Sequence, residues 1–222
     1  MLGASACGRV ERAKSVELRN EVSASPVAPG TGSRPQVPRI VVLGDSLTAG
    51  LGLDQREAYP ALLQGKLKEK GQPFEVVNAG VSGDTSSDGL QRLDWALDGD
   101  VQILILALGA NDGLRALPVS QMKANLQQVI TRARQRGIAV LLVGMEAPPN
   151  FGEQYTNEFR AVFRDLAAGN HLVFVPFLLE GVAGVADLNQ ADGLHPTAAG
   201  ARRVADLLWP ALEKMIRTDR TP

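Results

Sequence analysis

From residue 39 to residue 216 the chain alternates short, uninterrupted apolar runs with longer amphipathic stretches, and few folds accept that pattern. The runs are RIVVLG, FEVVNAG, VQILILALG, IAVLLVG and HLVFVPF. Between them lie REAYPALLQGKLKEKG, SSDGLQRLDWAL, PVSQMKANLQQVITRARQRG and EQYTNEFRAVFRDLAAG, and PTAAGARRVADLLWPALEKMI follows the last. A strand that is apolar on successive residues is buried on both faces, so strand and helix must alternate around a parallel sheet covered on each side. We therefore expect the α/β class: an open, doubly wound three-layer α/β/α sandwich with a five-stranded parallel sheet.

The last stretch carries the clearest helical period. Val204, Leu207, Leu208, Ala211, Leu212 and Met215 recur on one face. Pro210 interrupts this face, which predicts a kink or a break near Trp209. In the third stretch Met122, Leu126, Val129 and Ile130 follow a similar spacing, with basic residues crowding the last turn where the helix dipole favours them.

With 222 residues, 45% of them hydrophobic, the chain can bury a full core. The length favours one domain with something appended. Residues 1–38 lack either period, are polar and then rich in Ser, Pro and Gly, and are expected to form a signal remnant and disordered linker ahead of one folded domain at 39–222. Ala4-Ser5-Ala6 directly before Cys7 resembles the tail of a bacterial lipoprotein signal, although a basic n-region and most of an apolar h-region are missing. On that reading Cys7 carries a lipid anchor and the protein is periplasmic or membrane-anchored. The alternative is a disordered N-terminus on a cytoplasmic protein, with an incidental cysteine.

Balanced charge, 23 basic against 24 acidic residues, argues against a nucleic-acid partner. One cysteine permits neither an internal disulfide nor a thiolate zinc cluster, and two histidines, His171 and His195, leave little for a transition metal. We expect no metal and no cofactor. No run of about 18 apolar residues is present to span a bilayer.

In open α/β sheets ligands gather beyond the carboxyl ends of the strands. Polar residues stand at those ends: Gly44-Asp45-Ser46, Asn78-Ala79-Gly80, Gly109-Ala110-Asn111-Asp112, and Asp192 to Pro196 before the last helix. A hydroxyl, an imidazole, a carboxylate, a carboxamide and a glycine amide are the parts needed for acyl transfer through a serine. Asp192, three residues before His195 across a glycine turn, can accept the Nδ1 proton and leave Nε2 for Ser46. The candidate oxyanion donors are the backbone N–H groups of Ser46 and Gly80 and the amide of Asn111. Gly80, without a Cβ, would let substrate approach its backbone.

GDSLTAG, NAGVSGDTS, LGANDGL and DGLHP resemble the four signature blocks of the SGNH, or GDSL, hydrolase family, in that family's order. GMEAPPNFGEQYTNEF is similar to its bacterial branch of thioesterase I, lysophospholipase and arylesterase enzymes. The resemblance implies a flavodoxin-like sandwich that hydrolyses esters or thioesters of short to medium acyl chains. It makes Ser46 the nucleophile, completes the triad with Asp192 and His195, and completes the oxyanion hole with Gly80 and Asn111. It also makes residues 113–118 a wall of the acyl groove, with Leu47, Leu114, Leu117 and Pro118 in contact with substrate, and Phe151 on the facing wall. The implied partner is a small acyl ester or thioester, met by a monomer, with membrane association only through Cys7.

Other readings stay open for single residues. Ser46 alone suits a turn or a helix cap, Asn111-Asp112-Gly113 an ordinary turn, and His171 a structural place at the start of the fifth strand. Asp45 and Asp112 are expected to hold loops by accepting backbone N–H groups. EGVAGVADLNQADG reads as a mobile surface loop that delivers Asp192 and His195. An α/β-hydrolase would need a G-x-S-x-G elbow, which is absent. The alternative of another class is a non-enzymatic flavodoxin-like module that binds phosphate or nucleotide through Asp45 and Asp112; such a module has no use for His195 beside Asp192.

Overall fold

The computed structural model describes residues 37–218. Cys7 and the rest of the expected signal remnant lie outside the described residues, as do residues 219–222. The strands are β1 (Arg39–Gly44), β2 (Glu75–Gly80), β3 (Val101–Ala107), β4 (Ala139–Val143) and β5 (Val173–Val175). They form one five-stranded sheet in the order β2-β1-β3-β4-β5, and every pairing is parallel. This is the expected α/β sandwich.

Its centre follows from the apolar runs. Ile40 to Leu43 of β1 and Ile103 to Leu106 of β3 are all buried, as strands covered by helices on both faces must be. The edge strand β2 is less buried, with Glu75 and Asn78 exposed, because only one neighbour flanks it. The helices are α1 (Ser46–Ala49), α2 (Tyr59–Glu69), α3 (Ser86–Gln91), α4 (Leu93–Ala96), α5 (Ala110–Leu114), α6 (Val119–Gln135), α7 (Glu153–Gly169) and α8 (Ala198–Thr218). Helix α2 packs with α8, while α6 packs with α3 and α7, giving the two helical layers. The chain leaves β1 for β2 on one side and later enters β3 on the other, so the strand order reverses at β1. That reversal opens a crevice at the carboxyl ends of β1 and β3.

Four local features are not those the sequence alone suggests. Helix α8 runs unbroken through Pro210. Both Pro210 and Asp206, whose carbonyl loses its partner, face solvent, so water can satisfy that oxygen while buried Val204, Leu208, Leu212 and Ile216 hold both halves. The stretch after β2 is two helices, α3 and α4, separated at Arg92. The fifth strand is shorter than its apolar run, and His171 precedes it in a left-handed turn at φ 51°. Ser46 and Asn111 lie in short helices, α1 and α5, where single residues read as turns.

Candidate active site

Strand β1 ends at Gly44, and the chain turns at once into α1 with Asp45 as its N-cap. Asp45 is fully buried, and its Oδ1 accepts the Leu47 N–H at 3.0 Å, which fixes the turn that presents Ser46. Helix α8 begins at Ala198, and the segment leading into it carries Asp192 and His195. Here the Nδ1 of His195 lies 2.7 Å from Asp192 Oδ2, and its Nε2 lies 2.9 Å from Ser46 Oγ. Asp192 Oδ1 accepts the N–H groups of Leu194 (2.9 Å) and His195 (3.0 Å). Three residues from opposite ends of the domain thus form one hydrogen-bonded line.

The stretch containing Asp192, expected as a surface loop, is exposed over most of its length and is held by side-chain bonds from Asn189 and Gln190. Asn189, itself buried, donates to the carbonyls of Val182 and Val185, and its backbone bridges to Pro196. Gln190 donates its amide to the Leu51 and Pro196 carbonyls at 2.7 and 2.9 Å, while its backbone N–H reaches the His195 carbonyl at 2.7 Å. Gln190 therefore ties the histidine segment to the loop that follows Ser46's helix. The sequence offered no signal for it beyond its place two residues before Asp192.

On the other side of Ser46, Asn111 at the start of α5 donates its amide to the Asp84 carbonyl at 2.9 Å. One Nδ2 hydrogen is thereby spent and the other is left for a ligand. Ser46, Asn111 and His195 line one trough of about 370 Å³. A hydroxyl with a base, and a fixed amide donor opposite, is an arrangement that can form and hold a tetrahedral acyl adduct.

The sequence of this site also matches known proteins. Residues 42–203 match the GDSL-like Lipase/Acylhydrolase family. The chain belongs to that family. It is similar to the esterase TesA of Pseudomonas aeruginosa, with 42% identity over 178 residues that cover 80% of this chain and 89% of that one. It is also similar to the Thioesterase 1/protease 1/lysophospholipase L1 of Escherichia coli, at 34% identity, covering 81% and 86% of the two chains. The crystal structure of TesA superposes with a TM-score of 0.76 at 42% identity, covering 80% of this chain and 99% of that one. The hydrolase is thus an α/β enzyme of ester bonds, and the phosphate-binding alternative is not favoured. Asp45 and Asp112, which that module would use, are both buried, and each already accepts a backbone N–H of the protein itself. Asp112 accepts the backbone N–H and the hydroxyl of Ser86, at 2.8 and 2.7 Å.

One sequence expectation is corrected in the oxyanion region. The Gly80 N–H is already given to Asn78 Oδ1 at 2.9 Å. A Cβ on Gly80 would lie 2.3 Å from the Ala49 nitrogen, so its missing side chain admits the backbone of α1, not a substrate. The turn beyond it holds a better candidate. Gly83, at φ 89°, has an amide N–H with no partner among the described residues, as does Ser46. Gly83 also directly precedes Asp84, the residue that fixes Asn111. The signal was present in the sequence as a second glycine in NAGVSGDTS.

The trough itself is half as expected. Leu47 and Leu114 line it. Leu117 does not: its N–H bonds the Asp112 carbonyl, and its own carbonyl accepts the Tyr155 hydroxyl at 3.0 Å. Pro118 caps α6 instead. Phe151 leans edge-on against Tyr155, with ring centroids 5.8 Å apart, as the first ring of an aromatic row that continues to Phe159 and Phe163. The facing wall comes from Met145 to Pro149, and Phe177, Leu179 and Ala183 after β5 also line the trough. These last residues lie in no motif, which is why the sequence did not show them.

Two carboxyl groups are shifted in opposite directions. Asp192 is held down to about 2, first by the His195 N–H, then by the imidazole and the Leu194 N–H. Burial pushes Asp45 up from 3.8 to about 6, against the lowering effect of the Leu47 N–H. Its Oδ2 is buried without a partner among the described residues. Between those two pH values the folded chain keeps a proton that the unfolded chain has released, so Asp45 lowers stability progressively as pH rises through this window. Asp45→Asn is expected to gain in Tm relative to the parent between pH 4 and pH 7. A Tm difference that stays constant with pH would contradict this account of the buried carboxyl.

Proposed function

We propose that the hydrolase cleaves carboxylic esters or thioesters of short to medium acyl chains by way of an acyl-enzyme on Ser46. The observation that carries this reading is the position of the His195 ring, with Nε2 at 2.9 Å from Ser46 Oγ and Nδ1 at 2.7 Å from Asp192. His195 takes the Ser46 proton as Oγ bonds to the acyl carbon. The oxyanion is held by the N–H groups of Ser46 and Gly83 and the Asn111 amide. The C–O or C–S bond then breaks, and the leaving alcohol or thiol departs with the proton from His195. In the second half water gives its proton to His195, attacks the acyl carbon and releases a carboxylic acid, and the proton returns to Ser46 Oγ.

The apolar trough supports an acyl group of limited length, and nothing in this chemistry calls for a second subunit. Ala4-Ser5-Ala6-Cys7 supports a periplasmic, lipid-anchored location, where lysophospholipids, lipid esters and aryl esters are better candidates than acyl-CoA. The test is a chain-length series of p-nitrophenyl esters alongside an acyl-CoA and a lysophospholipid. We expect kcat/KM to peak at short or medium chains and fall at palmitate. A rise continuing through palmitate would contradict the trough assignment, and no hydrolysis of any ester would contradict the activity.

A further inference from the structure

We propose that Arg92 is a positioning residue for the oxyanion side of the site, an inference that rests on the reaction above. Arg92 occupies the break between α3 and α4, at φ −97° and ψ 8°, where a single helix had been expected. From that break its side chain reaches back to the strand ends. Nε donates to Asp84 Oδ2 at 2.5 Å and Nη2 donates to the Gly44 carbonyl at 2.9 Å. The pair is largely shielded, with side-chain exposures of 18% for Arg92 and 12% for Asp84.

Those two acceptors belong to the two halves of the catalytic machinery. Gly44 is the end of β1, two residues before Ser46, and its carbonyl also accepts the Val81 N–H at 3.1 Å. Asp84 closes the turn that starts at Val81, through its N–H to the Val81 carbonyl at 3.2 Å. The same residue's carbonyl holds the Asn111 amide, and its neighbour Gly83 supplies the unpartnered N–H. One rigid guanidinium therefore sets the distance between the serine turn and both donors across from it. Arg115 holds the turn only from its outer side, by donating to the Gly83 carbonyl at 2.9 Å.

A planar fork suits this task and an ammonium does not, since a single nitrogen on a flexible stem cannot fix two acceptors at set angles. Misplacing a catalytic donor by about 1 Å can cost on the order of 100-fold in rate. Loss of Arg92 should thus appear in kcat and spare the trough that binds the acyl chain.

The experiment compares parent, Arg92→Lys, Arg92→Ala and Ser46→Ala on one p-nitrophenyl ester, with rates expressed per folded site from thermal melts and, in the three proteins that keep Ser46, from phosphonate titration. We expect kcat in Arg92→Lys to fall by about 10- to 100-fold while KM stays within about threefold. Millimolar guanidinium added to Arg92→Ala should restore part of kcat without changing KM. The proposal is overturned if Arg92→Lys keeps parental kcat per folded site, if KM alone rises, or if added guanidinium gives no recovery in folded Arg92→Ala. Should Arg92→Ala not fold, Arg92→Lys decides alone. An active parent beside an inactive Ser46→Ala leaves the reaction assignment standing even where the Arg92 variants overturn this inference.

Discussion

Replacing Ser46 by alanine is expected to lower kcat by about 10⁴- to 10⁶-fold while KM and Tm stay near parental values. The hydroxyl is the one group in the trough that stands 2.9 Å from a base whose other nitrogen is already engaged. Its removal takes away the nucleophile but leaves the Ser46 N–H, the Gly83 N–H and the Asn111 amide, so a residual rate above that in water should persist. The fold loses little, because the turn depends on the Asp45 cap to Leu47 and not on the Ser46 side chain. Steady-state kinetics on a p-nitrophenyl ester check this; turnover within tenfold of the parent would remove Ser46 from its role.

The second large effect is expected at Asp192. Asp192→Asn should cost about 10⁴-fold in kcat. The carboxylate accepts the Nδ1 proton through Oδ2 while Oδ1 accepts two backbone N–H groups. An asparagine can keep the backbone bonds, but it then turns an NH₂ toward Nδ1. The ring answers by moving its proton to Nε2, where it faces Ser46 and can no longer act as a base. Because Asp192 is held near 2, it stays ionised throughout the neutral and mildly acidic range. Asp192→Asn with more than a tenth of parental kcat would contradict the tautomer account.

Much of this site could be read from the chain because its chemistry is written in local patterns. Apolar runs long enough to be buried on both faces fixed the parallel sheet, and the sheet in turn told where Ser46, Asn111, Asp192 and His195 would meet. Gly80 was misread because a glycine at a strand end serves two physical ends, a free approach for ligand or a close approach for backbone. The sequence does not distinguish them, whereas 2.3 Å to the Ala49 nitrogen does. Leu117, Pro118 and Phe151 were misplaced for a related reason. Their apolar side chains suit a groove, but none of the three lines the trough: the Leu117 backbone is held by the Tyr155 hydroxyl, Phe151 joins the aromatic row along α7, and Pro118 caps α6. Gln190 and Arg92 act through side chain to backbone bonds spanning 139 and 48 residues, and no periodicity announces such bonds. Pro210 shows the converse: a residue that should break a helix is tolerated where the carbonyl it leaves unpaired, that of Asp206, is on the exposed face.

The central claim is that Ser46 is the atom donor to an acyl-enzyme, made nucleophilic by His195. The most direct measurement is peptide mass spectrometry after exposure to a serine-directed phosphonate at neutral pH. We predict one adduct, on the peptide that contains Ser46, formed in the parent and strongly slowed in His195→Ala. A parent that hydrolyses esters yet carries no adduct, or carries it on another residue, would contradict the claim.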